Sequence, residues 1–215
     1  MNVVVTGAAG GIGTAAVRAL REHGARVAGI DLLDEGDLVR GDVTDRDSIA
    51  AAVETCAASL GGVDVLVNNA GIGVPGDAGD FPDAAAHAVR EVNFFGAWNA
   101  TAAALPDLLE SRGHVVNVAS GLAIVDVPFA AAYSASKRAL AAYSAALRVE
   151  YRGRIGVTTV YPGYIRTSIH DAAAHAVMEV NFFGAWNATA AALPYLLESR
   201  GHVVNVASGL AIFDV

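Results

Sequence analysis

The chain has 215 residues, 54% of them hydrophobic and 17% charged, with a formal net charge of −8. That balance excludes a disordered polymer and describes one packed domain more readily than two. An acidic chain with no basic run argues against nucleic-acid or anionic-membrane binding, and no apolar run is long enough to cross a bilayer.

The first residues run straight into a short β-branched strand, Val3 to Thr6, without the layout of a signal peptide, so a cytoplasmic protein is expected. A glycine-rich turn follows, then a helix from about Ile12 to His23 that Gly24 stops. Arg26 to Asp31 reads as a second strand and Leu38 to Gly41 as a weak third. Thr44 and Asp47 resemble a capping box and open a helix that ends near Leu60. Val63 to Val67 is a strand of the buried type, Asp83 to Ser111 a long helix with irregularities expected at Gly96 and Pro106, and His114 to Ala119 a strand. A helix over Ala131 to Tyr151 and a strand over Ile155 to Tyr161 complete the pattern. Apolar strands separated by helices predict an α/β fold: a doubly wound parallel sheet in three layers, α/β/α. Cys56, the lone cysteine, falls in a helical pattern and is expected to be a buried, inert thiol. The histidines show no metal-ligand spacing, and no metal is expected.

Three groups of residues carry chemistry. The turn Thr6-Gly7-Ala8-Ala9-Gly10-Gly11-Ile12-Gly13 joins the first strand to the first helix. A helix N-terminus there presents free N–H groups and a positive dipole end to a pyrophosphate, and glycines let the phosphate approach the backbone. Asp31 ends the second strand, where a carboxylate accepts hydrogen bonds from ribose hydroxyls and repels a 2′-phosphate. With no Arg or Lys in the turn, NAD(H) is preferred over NADP(H). Tyr133 and Lys137 stand at i and i+4 on one helix face, so the ammonium is expected to stabilise the phenolate and lower the tyrosine pKa. Ser120 follows one strand, Asn68-Asn69-Ala70-Gly71 follows another, and Asn93 lies inside the long helix.

The turn Thr6 to Gly13, Asp42-Val43, Asn68 to Gly71, Asn93, Ser120, Tyr133, Lys137 and Pro162-Gly163 with Thr167 occur in an order and spacing that resemble the short-chain dehydrogenases/reductases over about residues 1–168. The resemblance implies a Rossmann-like fold and an oxidoreductase that interconverts a secondary alcohol and a ketone. It implies Tyr133 as general acid/base and Lys137 as the group that tunes it and holds the nicotinamide ribose. Ser120 would then bind the substrate oxygen, and Asn93 a relay water. Gly7, Gly11, Ile12 and Gly13 would line the pyrophosphate, Asp42 and Val43 the adenine, and Asn69, Ala70 and Gly71 the adenosine side. Pro162, Gly163 and Thr167 would stand near the carboxamide. A small-molecule substrate and a homo-oligomer, dimer or tetramer, are implied as partners.

The chain departs from that family after Pro162-Gly163. Residues 83–127 and 171–215 align over 45 positions with 42 identities; Arg90, Asp107 and Val125 become Met178, Tyr195 and Phe213. Such near-identity marks a recent duplication, a recombined or engineered chain, or a misassembled sequence. The second copy repeats Asn93 as Asn181 and Ser120 as Ser208 without a second Tyr-x-x-x-Lys, which excludes a second active site. It replaces the family's substrate-covering segment, last helix and last strand. Three expectations follow: a core over 1–168 with 171–215 packed on the same domain and covering the edge at Ile155 to Tyr161; a swapped assembly; and, as the alternative function, an NAD-binding protein with little turnover.

Overall fold

The computed structural model describes residues 1–33, 36–163 and 165. Thr167 and the repeated segment 171–215, with the expectations attached to them, lie outside the described residues.

Six strands form one parallel sheet: β1 (Asn2–Thr6), β2 (Arg26–Asp31), β3 (Val39–Arg40), β4 (Val65–Asn68), β5 (His114–Val118) and β6 (Gly156–Val160). Their order is β3-β2-β1-β4-β5-β6. The helices are α1 (Gly11–Glu22), α2 (Arg46–Leu60), α3 (Asp83–Arg90), α4 (Ala97–Ser111) and α5 (Ala131–Glu150).

Alternate residues of a strand face opposite sides of a sheet, and here both sides are covered. Val4, Ile30, Leu66 and Val115 face Ile49 and Val53 of α2, Ala104 and Leu108 of α4 and Leu147 of α5. Val3, Val5, Val27, Val65 and Val67 face Val17 and Leu20 of α1. This is why the strands read as unbroken apolar runs rather than alternating ones. Cys56 is buried in the first of these cores, and burial pushes its thiol up to about 11, consistent with an inert packing residue.

Two local readings are corrected. The cap of α2 is Asp45, whose carboxylate accepts from the N–H groups of Asp47 and Ser48 at 2.9 and 3.0 Å. Thr44 instead donates backbone and hydroxyl hydrogens to Asp42 Oδ1 at 2.8 and 2.7 Å. In the long helix the irregularity expected at Gly96 is a π-helical turn, Glu91–Gly96, that separates α3 from α4, whereas the one expected at Pro106 is absent: the proline sits on an exposed side of α4 without ending it.

The chain moves outward from β1 in one direction and from β4 in the other. The loops leaving these two neighbours therefore diverge and open a crevice at the carboxyl edge of the sheet, the place where open α/β sheets bind ligands.

Candidate active site

The crevice is a cleft of about 380 Å³ lined by the turn after β1 (Gly7, Ala9 to Ile12), the end of β2 (Ile30 to Leu33), Gly41 to Val43, Asn69 to Ile72, and Val92. Gly7 has φ of +65°, and a Cβ there would stand 2.7 Å from the Ala70 α-carbon. Only glycine combines that backbone with that approach. The turn is pinned from below: Asn69 donates its side-chain amide to the Thr6 and Gly7 carbonyls at 3.1 and 2.9 Å, and Thr6 Oγ1 accepts from the Asn69 and Ala70 N–H groups, both at 3.2 Å. Gly13 lies beneath the turn, where any side chain would strike the Gly7 carbonyl; it serves close packing and does not line the cleft. No side chain caps α1, so the N–H groups of its first turn are free for an anion.

Asp31 sits across this turn. Its Oδ2 accepts from the Ala9 N–H at 2.9 Å and its Oδ1 from the Leu32 N–H at 2.8 Å. The glycine turn and the carboxylate are thus fixed relative to each other. Val43 is tied down from the other side, its carbonyl accepting from Asn99 Nδ2 at 3.0 Å and its side chain lying against Gly96.

The second half of the site gathers on β5, α5 and the π-helical turn. Tyr133 and Lys137 share one face of α5, and Lys137 Nζ lies 5.8 Å from the Tyr133 ring centroid. Lys137 is buried at 3% exposure and donates to the Val118 carbonyl at 2.9 Å. Burial pulls its pKa down to about 8. Burial also raises the Tyr133 pKa above its usual value, and a hydrogen bond with the Ser120 side chain opposes the rise. The expected lowering of the phenol pKa by Lys137 is therefore corrected: exclusion of water raises it, and what opposes the rise is the Ser120 hydrogen bond. Ser120 Oγ also accepts from the Leu122 N–H at 3.1 Å. The Gly121 N–H donates to the Pro162 carbonyl at 2.8 Å, which brings Pro162-Gly163 beside the serine.

Asn93 is almost wholly buried, and both of its amide hydrogens are spent, on the Ile72 carbonyl and on Ser136 Oγ, each at 2.9 Å. Its Oδ1 accepts from the Ile72 N–H at 2.8 Å, leaving one lone pair for a water. Ser136 in turn donates to the Tyr133 carbonyl at 2.7 Å. The halves of the site meet at Gly71: it lines the cleft, and a Cβ on it would stand 3.2 Å from Asn93 Oδ1 and 3.3 Å from Lys137 Nζ.

Of the residues singled out in the sequence, Gly7, Gly11, Ile12, Asp31, Asp42, Val43, Asn69, Ala70 and Gly71 line the cleft. Asn93, Ser120, Tyr133 and Lys137 cluster at its far end around Gly71 and Pro162. Sequence reasoning placed Thr6 in the turn without its role as acceptor, and missed Ser136, Ile72, and the exposed pair Leu32-Leu33 beside Asp31. Two leucines in a row in an otherwise acidic loop were a signal for the last; the others depend on contacts between distant segments. It also missed a buried polar layer behind the site, in which Asn68 Nδ2 donates to Thr101 Oγ1 and Asn117 Oδ1 and Asn117 Nδ2 donates to Ser144 Oγ, at 2.8 to 2.9 Å. Among the described residues no group of His, Cys, Asp and Glu could hold a metal, and no helix is long and apolar enough to cross a membrane.

Residues 1–176 match the family profile described as short chain dehydrogenase. The chain is 35% identical over 188 residues to dehydrogenase/reductase SDR family member 7B of Mus musculus, covering 78% of this chain and 58% of that protein's length. It is 33% identical over 191 residues to oxidoreductase UcpA of Salmonella typhimurium, covering 80% of this chain and 72% of that one. Among solved structures, ligand-free aldohexose dehydrogenase of Thermoplasma acidophilum superposes with a TM-score of 0.75 at 30% identity, over 78% of this chain and 68% of that one.

Proposed function

We propose that this chain, which belongs to the short-chain dehydrogenase/reductase family, is an NAD(H)-dependent oxidoreductase that interconverts a secondary alcohol and a ketone. The observation that carries the reading is the junction at Gly71, where the cleft lined by the glycine turn and Asp31 runs into a buried Lys137, with Tyr133 and Ser120 alongside.

The residues fit a nicotinamide dinucleotide. The first turn of α1, at Gly11 and Ile12, offers backbone N–H groups to the pyrophosphate, Asp31 accepts from the adenosine ribose, and Asp42-Val43 bounds the adenine. The Asp31 carboxylate would repel a 2′-phosphate, which supports NAD(H) over NADP(H). Pro162, Gly163 and Thr167 are assigned to the carboxamide side. The bound nicotinamide supplies or accepts the hydride. Tyr133 hands its phenolic proton to the substrate oxygen in reduction and takes it back in oxidation; burial keeps that proton in place at neutral pH. Ser120 donates a hydrogen bond to the same oxygen. Lys137 holds the nicotinamide ribose, and its charge stabilises the phenolate once the proton has left. Asn93 positions Ile72 and α5 around these groups.

The test is a fluorescence titration with NADH and NADPH, beside ketone reduction by wild type and Tyr133→Phe. NADH is expected to bind more tightly than NADPH. Tyr133→Phe should keep that binding and lose turnover by roughly 10²- to 10⁴-fold. Equal binding of the two cofactors would overturn the cofactor choice, and undiminished turnover in the variant would overturn the catalytic assignment.

A further inference from the structure

Two loops lead away from the reacting groups. One leaves Gly71, beside Lys137 Nζ, and runs through Ile72-Gly73-Val74-Pro75-Gly76; its first residue, Ile72, still lines the cleft. The other runs from Gly121 to Ala130 and joins Ser120 to α5, where Tyr133 lies in the first turn. They meet where the Gly76 N–H donates to the Phe129 carbonyl at 3.0 Å. Residues 72–76 carry no polar side chain, and residues 121–130 carry one, Asp126. Asp126 is turned to solvent and paired with Arg138 at 2.6 Å, and Arg138 Nε also donates to the Ala123 carbonyl at 3.1 Å. What the loops expose is apolar. Among the described residues eight large apolar side chains are exposed, and three of them, Val74, Ile124 and Phe129, stand on these two loops. Apolar surface gathered in one place marks a binding site, whereas single exposed residues do not. Phe129 carries a second sign. Its φ is +62°, a left-handed conformation that a bulky side chain adopts at a cost. Glycine would meet the demand of the turn without strain, so the turn does not account for an exposed phenyl ring. Strain of this kind gathers at ligand sites.

We propose that Val74, Ile124 and Phe129 form the substrate wall of the site, and that the substrate is a ketone or secondary alcohol whose larger substituent is an uncharged aryl or alkyl group. The proposal rests on the oxidoreductase reading and adds a substrate class to it. With the substrate oxygen between Ser120 and Tyr133, a substituent on the reacting carbon extends over the loops that flank those two residues. An apolar group there covers apolar surface that water otherwise wets. A hydroxyl or carboxylate there loses water and meets no side-chain partner on either loop, since Asp126 is held by Arg138. Sugars, polyols and keto acids are poor substrates on that ground.

The experiment measures binding apart from turnover. 1-Phenylethanol and glycerol are titrated by calorimetry into the full chain saturated with NADH, where no hydride can move because cofactor and ligand are both reduced. The titrations are repeated without NADH, so that the cofactor assignment does not decide the result. The aryl alcohol is expected to bind at least about tenfold more tightly than glycerol. Phe129→Gly removes the ring and relieves the backbone. Its Tm should rise, while its affinity for 1-phenylethanol falls by about tenfold or more. Phe129→Leu should keep most of that affinity. Equal affinities for the two alcohols, or no binding of the aryl one, overturn the substrate class. Unchanged affinity in Phe129→Gly removes the ring from the wall, and a lowered Tm shows that the ring serves the fold; each overturns the proposal. So does a variant that changes its sedimentation and not its affinity, which makes the patch a contact between chains. Reduction of acetophenone and dihydroxyacetone is measured alongside. Binding that depends on Phe129 without any turnover counts against the oxidoreductase reading alone, and a preference for dihydroxyacetone counts against the substrate class alone.

Discussion

Lys137 is an ammonium in a place that disfavours one: it is 3% exposed and donates to the Val118 carbonyl. Burial brings its pKa from 10.5 to about 8. Below pH 8 the residue is protonated in both folded and unfolded chains, and the fold bears the full cost of enclosing the charge. Between 8 and 10.5 the unfolded chain still holds the proton that the folded one releases, so stability rises with pH across that window. Above 10.5 both forms are neutral and the cost is gone. Its full size is on the order of 3 kcal/mol. Lys137→Met removes the titration, so the stability of the variant relative to wild type is expected to fall as pH rises from 8 to 10.5. Cys56 and Tyr143, which burial pushes up to about 11 and about 12, act in the opposite sense in both proteins and cancel in the difference. Denaturant midpoints at pH 7, 8, 9 and 10 measure it; a difference that does not change with pH refutes the assignment. The tyrosine-lysine pair itself was legible in the sequence because helical spacing alone joins i and i+4. The direction of the tyrosine shift was not, because it depends on how much water the neighbouring segments exclude.

At the scale of elements, strands and helices were legible from apolar period and glycine stops, and the six strands agree with the reading to within a few residues. Gly96 marked an irregularity in the long helix, but its π-helical form was not legible. A shift of the backbone hydrogen bonds by one residue leaves no mark in composition, and the apolar pattern runs through Glu91–Gly96 unbroken. The cap of α2 was misread because Thr44 and Asp45 are both cap-forming types, and only the local backbone decides which one accepts the free N–H groups. Such turns often stand at functional sites, and this one carries Asn93, which holds Ile72 on one side and Ser136 on the other. Ser136 is thus a positioning residue between the turn and the Tyr133 carbonyl. Ser136→Ala leaves a buried amide hydrogen of Asn93 without its acceptor, at a cost of about 1–3 kcal/mol. The expected outcome is that loss in stability together with a fall in kcat, while the NADH dissociation constant stays near the wild-type value, because Ser136 is not among the residues lining the cleft. Unchanged kcat in the variant would show that the clamp does not position the tyrosine.

The whole molecule explains why residues far apart in the chain make one site. In a parallel sheet every strand ends at the same edge, so Gly7 after β1, Asp31 at the end of β2, Asn69 after β4, Ser120 after β5 and Pro162 after β6 necessarily converge there. That much was legible once the strands had been read. The meeting of Gly71 with Asn93 and Lys137 was not, since it depends on how α5 and the π-helical turn lie over the sheet. A cleft that draws on β1, β2 and β4 couples a ligand to both halves of the fold. A ligand bound only by the folded chain stabilises it by RT ln(1 + [L]/Kd), about 2.7 kcal/mol at a hundredfold excess over Kd. For a chain of this size that corresponds to a rise in Tm of roughly 5–10 °C. NADH is expected to produce that rise and NADPH a smaller one at the same concentration. Asp31→Ala removes both the repelling carboxylate and the acceptor that fixes the Ala9 N–H, so the NADH shift should shrink toward the NADPH shift. Thermal unfolding of the two proteins with each cofactor measures all four values. Equal NADH shifts in wild type and variant would take Asp31 out of the cofactor site, and no shift with either cofactor would remove the dinucleotide from the cleft altogether.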